Sequence, residues 1–357
     1  MVSFGSDSTI TNFAAGARAG APVQAGAAPS LRPLTLTDPR QNLPAMTLLH
    51  PTSDALRPAS LTRALREIGP QWHLDIRGWA ERTRAIYEPL LAAAPETELE
   101  IVRDQPYGSH PRQVLDIYRQ PGARGRPVVA FVHGGAFVRG EKNTSDHLYA
   151  NVLTWFARQG CVGVNIEYRL ADEAPYPGAS LDVAQACDWI ASHIGAHGGD
   201  ASRICLIGHS AGGTHAATCL SDPVMDRAAV PVAAVALISA RLRADVLPAN
   251  PNAAGVRAYY GPDERLYEGR SAIAHAARLQ VPVLLVNAEF ENPLLDRYGL
   301  EYALALTHAR GRAPVHLTLP DHNHMSIVTH FNTSEDTLGR CILEFIDGHM
   351  GSAGGAP

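Results

Sequence analysis

Residues 203–216 read RICLIGHSAGGTHA, an apolar run ending in Gly208-His209-Ser210-Ala211-Gly212 and passing at once into small residues. A serine so flanked suits a sharp strand-to-helix turn, where small neighbours let a strained backbone hold the hydroxyl exposed. The first N–H groups of the following helix then point back at that hydroxyl, the geometry that stabilises an oxyanion. Ser210 is therefore the candidate nucleophile. Acyl transfer through it needs a base, a group to orient the base, and further N–H donors.

Each has a candidate. After the run VVAFV come His133-Gly134-Gly135-Ala136-Phe137, whose glycines let backbone N–H groups face a cavity unobstructed. His133, at the exit of that strand, is read as a residue that locks the loop rather than as the base. Pro320-Asp321-His322-Asn323-His324-Met325-Ser326 forms the loop after the last strand, where a base must lie to reach the elbow. His324 is chosen, with His322 as rival; a metal site there would need a partner cluster of His or carboxylates, and none is evident. The orienting acid should follow the preceding strand, PVLLVNAEFENPLLD, where Glu289, Glu291 and Asp296 compete. Alternation puts 289 and 291 on one face if the strand continues, and Asp296 suits a helix start. Glu291 is taken, with Asp296 in reserve.

Elements that could position these residues follow from periodicity. Leu99–Arg103 and Val114–Tyr118 read as amphipathic strands. Pro127–Val132, Val162–Tyr168, Ile204–Ile207, Val232–Ile238, Val281–Asn287 and Val315–Leu319 read as buried ones. Helical stretches fall near 146–158, 181–194, 212–221, 294–309 and 334–347. This alternation specifies an α/β fold with a mostly parallel central sheet flanked by helices, and a working site at the carboxyl ends of the strands. Residues 1–45, rich in Ala, Gly and Pro, read as a flexible N-terminal segment. A helical cap is expected over 46–97, where Leu61, Leu65, Ile68, Trp72, Leu74, Ile76, Trp79, Ile86 and Leu90 recur at helix-like intervals. Trp72, Trp79 and Tyr87 read as packing between its helices in preference to substrate contacts. The catalytic domain is expected over 98–350.

Composition narrows the classes. With 46% hydrophobic and 18% charged residues, the 357-residue chain can bury a substantial core. A formal charge of −5 without basic clusters argues against nucleic acid or an anionic membrane as partner. Lys142 is the only lysine, so a Ser-Lys dyad has one candidate. The five cysteines lack C-x-x-C spacing and read as buried free thiols, which fits a reducing compartment. No secretory signal or membrane-length apolar run is seen at this level, and the expectation is a cytoplasmic protein. No cofactor is implied, since P-loop, dinucleotide and H-E-x-x-H patterns are missing. An exposed sheet edge would permit a homodimer.

Together these residues resemble the α/β-hydrolase superfamily, specifically carboxylesterases related to hormone-sensitive lipase and the bacterial feruloyl-esterase and kynurenine-formamidase-like group. The resemblance runs in order over about residues 98–347. His133-Gly134-Gly135-Ala136 is similar to the family's His-Gly-Gly-x signature, which implies Gly135 and Ala136 as oxyanion donors and Ala211 as the third. Tyr168-Arg169-Leu170-Ala171 with Pro175-Tyr176-Pro177 resembles a supporting stretch of the family, with Asp172 where Pro is usual. The acid loop departs twice: Glu291 replaces Asp, and Asn292 is inserted before Pro293. His209 stands where hormone-sensitive-lipase relatives mostly carry Asp.

The resulting expectation is a serine hydrolase of short- to medium-chain carboxylic esters acting through an acyl-enzyme, with Phe137 and His209 at the substrate. The alternative keeps the triad and cleaves an amide, formamide or carbamate, as an arylformamidase does. A third, a non-catalytic ligand-binding member of the fold, would be expected to have lost one triad residue.

Overall fold

A computed structural model describes residues 57–95 and 98–351 of the chain. The segment read as a flexible N-terminus, 1–45, lies outside the described residues. Eight strands form one sheet: β1 (Glu100–Pro106), β2 (Val114–Arg119), β3 (Arg126–Val132), β4 (Val162–Ile166), β5 (Gly199–His209), β6 (Ala234–Ile238), β7 (Val283–Phe290) and β8 (Val315–Asn323). Their spatial order is β1-β2-β4-β3-β5-β6-β7-β8. β1 and β2 pair antiparallel, as do β2 and β4, and every later pairing is parallel.

A parallel sheet is covered on both faces, so its strands read as unbroken apolar runs. Every residue of β4 and β6 is buried. Along β3 the side chains alternate between two cores. Val128, Ala130 and Val132 join helices α4 (Gly178–His193), α5 (Ala211–Ser221) and α8 (Leu295–Arg310), while Val129 and Phe131 join α3 (Ala150–Arg158) and α10 (Thr337–Met350). The chain thereby buries both sheet faces and leaves the carboxyl ends of β3, β5, β6, β7 and β8 side by side at one end.

Register fixes that alignment. Val132 lies opposite Gly208, His209 opposite Ile238, Ile238 opposite Val286, and Phe290 opposite Asn323. The residues that follow these strand ends, His133 to Phe137, Ser210, Ser239, Glu291 and His324, are therefore neighbours in space although nearly two hundred positions apart in the chain.

Several elements differ from the sequence reading. β7 runs three residues past Asn287, and β8 runs to Asn323, so Pro320 to Asn323 belong to a strand instead of a loop. α6 (Ala253–Tyr260), α7 (Tyr267–Arg270) and α9 (Ser326–Thr329) were not expected. The stretch read as a cap contains α1 (Ala59–Ile68), a 3-10 segment (Gly69–Leu74) and α2 (Ile76–Ala92). α1 and the 3-10 segment touch β8, and α2 touches α9, which sets this layer over the carboxyl edge of the sheet. Leu61, Leu65 and Tyr87 form its own small core, whereas Leu74 is 69% exposed.

Candidate active site

Ser210 caps α5 with φ +55° and ψ −119°, a conformation that a non-glycine residue adopts only when its surroundings enforce it. The enforcement is visible at Gly212: a Cβ there would lie 2.2 Å from the Val132 carbonyl oxygen, so any larger residue would push α5 off β3. His324 Nε2 stands 3.1 Å from Ser210 Oγ, and His324 Nδ1 stands 2.8 Å from Glu291 Oε2. The His324 N–H donates to the Phe290 carbonyl at 3.1 Å, tying the imidazole to the end of β7. Glu291 Oε1 accepts from the Ala288 N–H at 2.9 Å and from the Ser239 hydroxyl. Both oxygens of the carboxylate are thus committed, one to the backbone side and one to the imidazole.

The rival assignments lie elsewhere. Glu289 is exposed and accepts from the Asp321 N–H at 2.6 Å. Asp296 sits in the exposed first turn of α8, where a carboxylate complements the helix dipole. His322 is fully buried, with Nδ1 3.0 Å from Ser326 Oγ and Nε2 2.8 Å from Glu335 Oε1. His133 is tied by Nε2 to Glu167 at 2.9 Å, by Nδ1 to the Gly134 carbonyl at 2.8 Å, and by its own carbonyl to the Tyr168 hydroxyl at 2.8 Å. Burial alone would raise the Glu167 carboxyl, but the bond to His133 and the charge of Arg112 hold it below its ordinary value.

The loop after β3 is shaped to expose N–H groups. Gly135 has φ +151°, and a Cβ on it would overlap the Arg139 carbonyl oxygen at 1.6 Å. Ala136 follows at φ +51°. Neither the Gly135 nor the Ala136 N–H donates to an acceptor among the described residues. Ala211 is the first residue of α5, so its N–H has no intrahelical acceptor.

A cavity of about 620 Å³ opens onto Ser210 and His324. The loop after β3 forms one wall, and α2 forms another through Ile76, Arg77, Ala80, Glu81 and Arg84, residues that share one helix face. His209 lines it while donating through Nε2 to the His324 carbonyl at 3.0 Å. Burial, reinforced by the neighbouring His324, pushes His209 well below its ordinary pKa, so the ring is a neutral brace. Phe137 corrects the sequence reading: it is 2% exposed, stacks on Tyr259 with ring centroids 4.8 Å apart, and does not line the cavity. Its φ of +71° turns the ring under the loop and into the core, where a large apolar face is more stable than at a wet wall.

Trp72 departs from the expectation in the other direction. It is buried and lines the cavity, and its indole N–H donates to Asn292 Oδ1 at 3.0 Å. The inserted Asn292 thereby ties the acid loop to the cap. Sequence reading missed Ser239, whose position just past β6 was the available signal, and Asn292, whose insertion before Pro-Leu was noticed without a partner for it. All five cysteines are free thiols, and all but Cys341 are buried.

Comparison with known proteins agrees with this geometry. A family model described as BD-FAE matches residues 115–222, and the prolyl oligopeptidase family model matches residues 180–353. Esterase LipC of Mycobacterium tuberculosis is 38% identical over 109 residues, 30% of this chain and 26% of that protein. The chain thus spans little more than a quarter of the length of the first curated relatives it matches. The esterase of Pyrobaculum calidifontis superposes with a TM-score of 0.60 at 24% identity, over 82% of this chain and 97% of the other. A bacterial heroin esterase superposes at 0.59 and 25% identity, over 76% and 92%. Sheet order, elbow and strand-end loops together with these superpositions show that the chain has the α/β-hydrolase fold.

Proposed function

We propose that the chain is a carboxylesterase-type serine hydrolase cleaving esters of short to medium acyl chains through an acyl-enzyme. The observation that carries this reading is the unbroken relay from Ser210 Oγ through His324 to Glu291, at 3.1 and 2.8 Å. His324 takes the hydroxyl proton as Ser210 attacks the ester carbonyl, and Glu291 holds the imidazole in the tautomer whose Nε2 can accept it. Charge then develops on the former carbonyl oxygen, where the N–H groups of Gly135, Ala136 and Ala211 stabilise it. Collapse of the tetrahedral intermediate expels the alcohol, protonated by His324, and leaves Ser210 acylated. Water activated by the same imidazole completes the cycle.

An intact relay weighs against a non-catalytic binding role. The ester is preferred over the amide, formamide or carbamate because relatives matched over most of this chain carry esterase names. Four thiols buried in apolar packing support a cytoplasmic setting. No described helix is long and apolar enough to cross a membrane. A homodimer would form through an edge strand such as β1, five of whose seven residues are exposed. As domain limits we take a cap at 46–97 and a catalytic unit at 98–350.

Hydrolysis of 4-nitrophenyl butyrate tests the function, with turnover expected and its loss in Ser210→Ala. Full activity of that variant would refute the assignment, and turnover of 4-nitroacetanilide in preference to the ester would move the reading to amides.

A further inference from the structure

We propose that the preferred substrates are esters bearing an anionic group, such as a carboxylate, remote from the scissile carbonyl and held between Arg84 and Arg139. The inference rests on the hydrolase reading and names the substrate class of that same cavity.

Arg84 projects from α2 and Arg139 from the loop that carries Gly135 and Ala136, so the two guanidinium groups belong to different walls of one cavity that opens onto Ser210. Neither makes a hydrogen bond or ion pair among the described residues. Other described arginines, such as Arg63, Arg82 and Arg124, are equally unpaired, but Arg84 and Arg139 line the cavity. Arg57, Arg66, Arg112, Arg169 and Arg241 each hold a carboxylate, and on the cavity wall itself Arg77 is paired with Glu81 at 3.3 Å. Among the described residues Glu81 is also the only carboxylate lining that cavity. A molecule of net charge −5 thus keeps an excess of positive charge facing its nucleophile.

Arg84 is half-buried, and a guanidinium withdrawn from water without a counter-ion is costly unless a ligand supplies one. Both arginines also act on the same group: burial pushes the Tyr149 phenol up to about 12, and the charges of Arg84 and Arg139 oppose that rise. Tyr149 lines the cavity too, which brings both charges to bear near one place on its wall. Guanidinium is the side chain suited to planar, bidentate contact with a carboxylate.

The test compares matched esters differing only in charge, in two arms. In the acyl arm, mono-4-nitrophenyl adipate is set against its methyl ester. In the alcohol arm, 4-(butyryloxy)phenylacetate is set against its methyl ester, cleavage being read only at the butyryl ester. We expect kcat/KM for the anionic member to exceed that of its partner at least tenfold in one arm, with the preference shrinking as NaCl rises from 50 to 500 mM. Arg84→Gln and Arg139→Gln should each reduce the anionic-to-neutral selectivity ratio at least fivefold through KM for the anionic ester. Arg139→Glu should reverse the preference. Labelling of Ser210 by a fluorophosphonate shows that each variant is folded and active. Equal kcat/KM within both pairs, or arginine variants that lower both members alike, would overturn the inference alone. Absence of labelling in the folded wild-type protein would overturn the hydrolase reading and the inference with it.

Discussion

A serine hydroxyl is a poor nucleophile in neutral water, so the reactivity proposed for Ser210 rests on two heavy-atom distances of about 3 Å and on a backbone that holds it at φ +55°. Ser210→Ala should therefore lower kcat by a factor on the order of 10⁴ to 10⁶ while leaving the unfolding midpoint near wild type, measured by ester hydrolysis and by urea titration. Glu291→Gln keeps the size of the side chain but removes the charge that selects the His324 tautomer. It should cost kcat about 10²- to 10⁴-fold with KM little altered. Retention of wild-type kcat would assign the orienting role to another acid. At this scale the candidate nucleophile stands out in the sequence because an elbow demands contiguous small residues, a local property of sequence. The acid was harder, since three carboxylates cluster within eight positions and only the fold decides which faces inward. Phe137 was misread because nothing local tells whether an aromatic beside a glycine pair points to the cavity or to the core.

Elements carry those distances, and the strand ends do most of it. Buried parallel strands were legible as continuous apolar runs. The polar end of β8 was not, since Pro320 and Asp321 read as a break. β8 lies at the sheet edge, where a proline removes no shared hydrogen bond, so the strand continues through it. The cap was legible in its periodicity but not in its anchor. Arg57 reaches under the sheet edge to Glu335 at 2.7 Å and to His322 Nε2 at 2.9 Å, with its side chain and that of Glu335 both buried. Arg57→Met removes the guanidinium from the buried Glu335 carboxylate and should destabilise the protein by about 3–5 kcal/mol in urea titration. A change under 1 kcal/mol would show that the pair is solvated. Gly135→Ala probes the loop after β3 in the same way: the Cβ clash with Arg139 must displace the donors, and kcat should fall about 10²- to 10³-fold.

For the whole molecule, burial of neutral histidines makes stability depend on pH in a definite direction. Burial pushes His215 down to about 3 and His330 down to about 4, and holds His209 well below its ordinary value. As pH drops below the unfolded value of about 6.5, the unfolded chain takes up protons that the folded one refuses, so their contribution is present above that value and lost progressively below it. Three such groups should remove roughly 3 kcal/mol of unfolding free energy between pH 7 and 5.5, read by urea titration at each pH. A flat profile would mean that these rings are hydrated. Glu335, held far below the carboxylate range by His322 and Arg57 against the opposing effect of burial, adds a further loss below about pH 4.5. Fold class was legible at this scale because strand and helix alternate along most of the chain, whereas the charge facing the cavity was not, because Arg84 and Arg139 meet only after folding. The relay itself is tested most directly by peptide mapping after exposure to a fluorophosphonate. The account predicts one adduct, on Ser210, that disappears in folded His324→Ala; an adduct on a different residue, or none on folded wild-type protein, would contradict it.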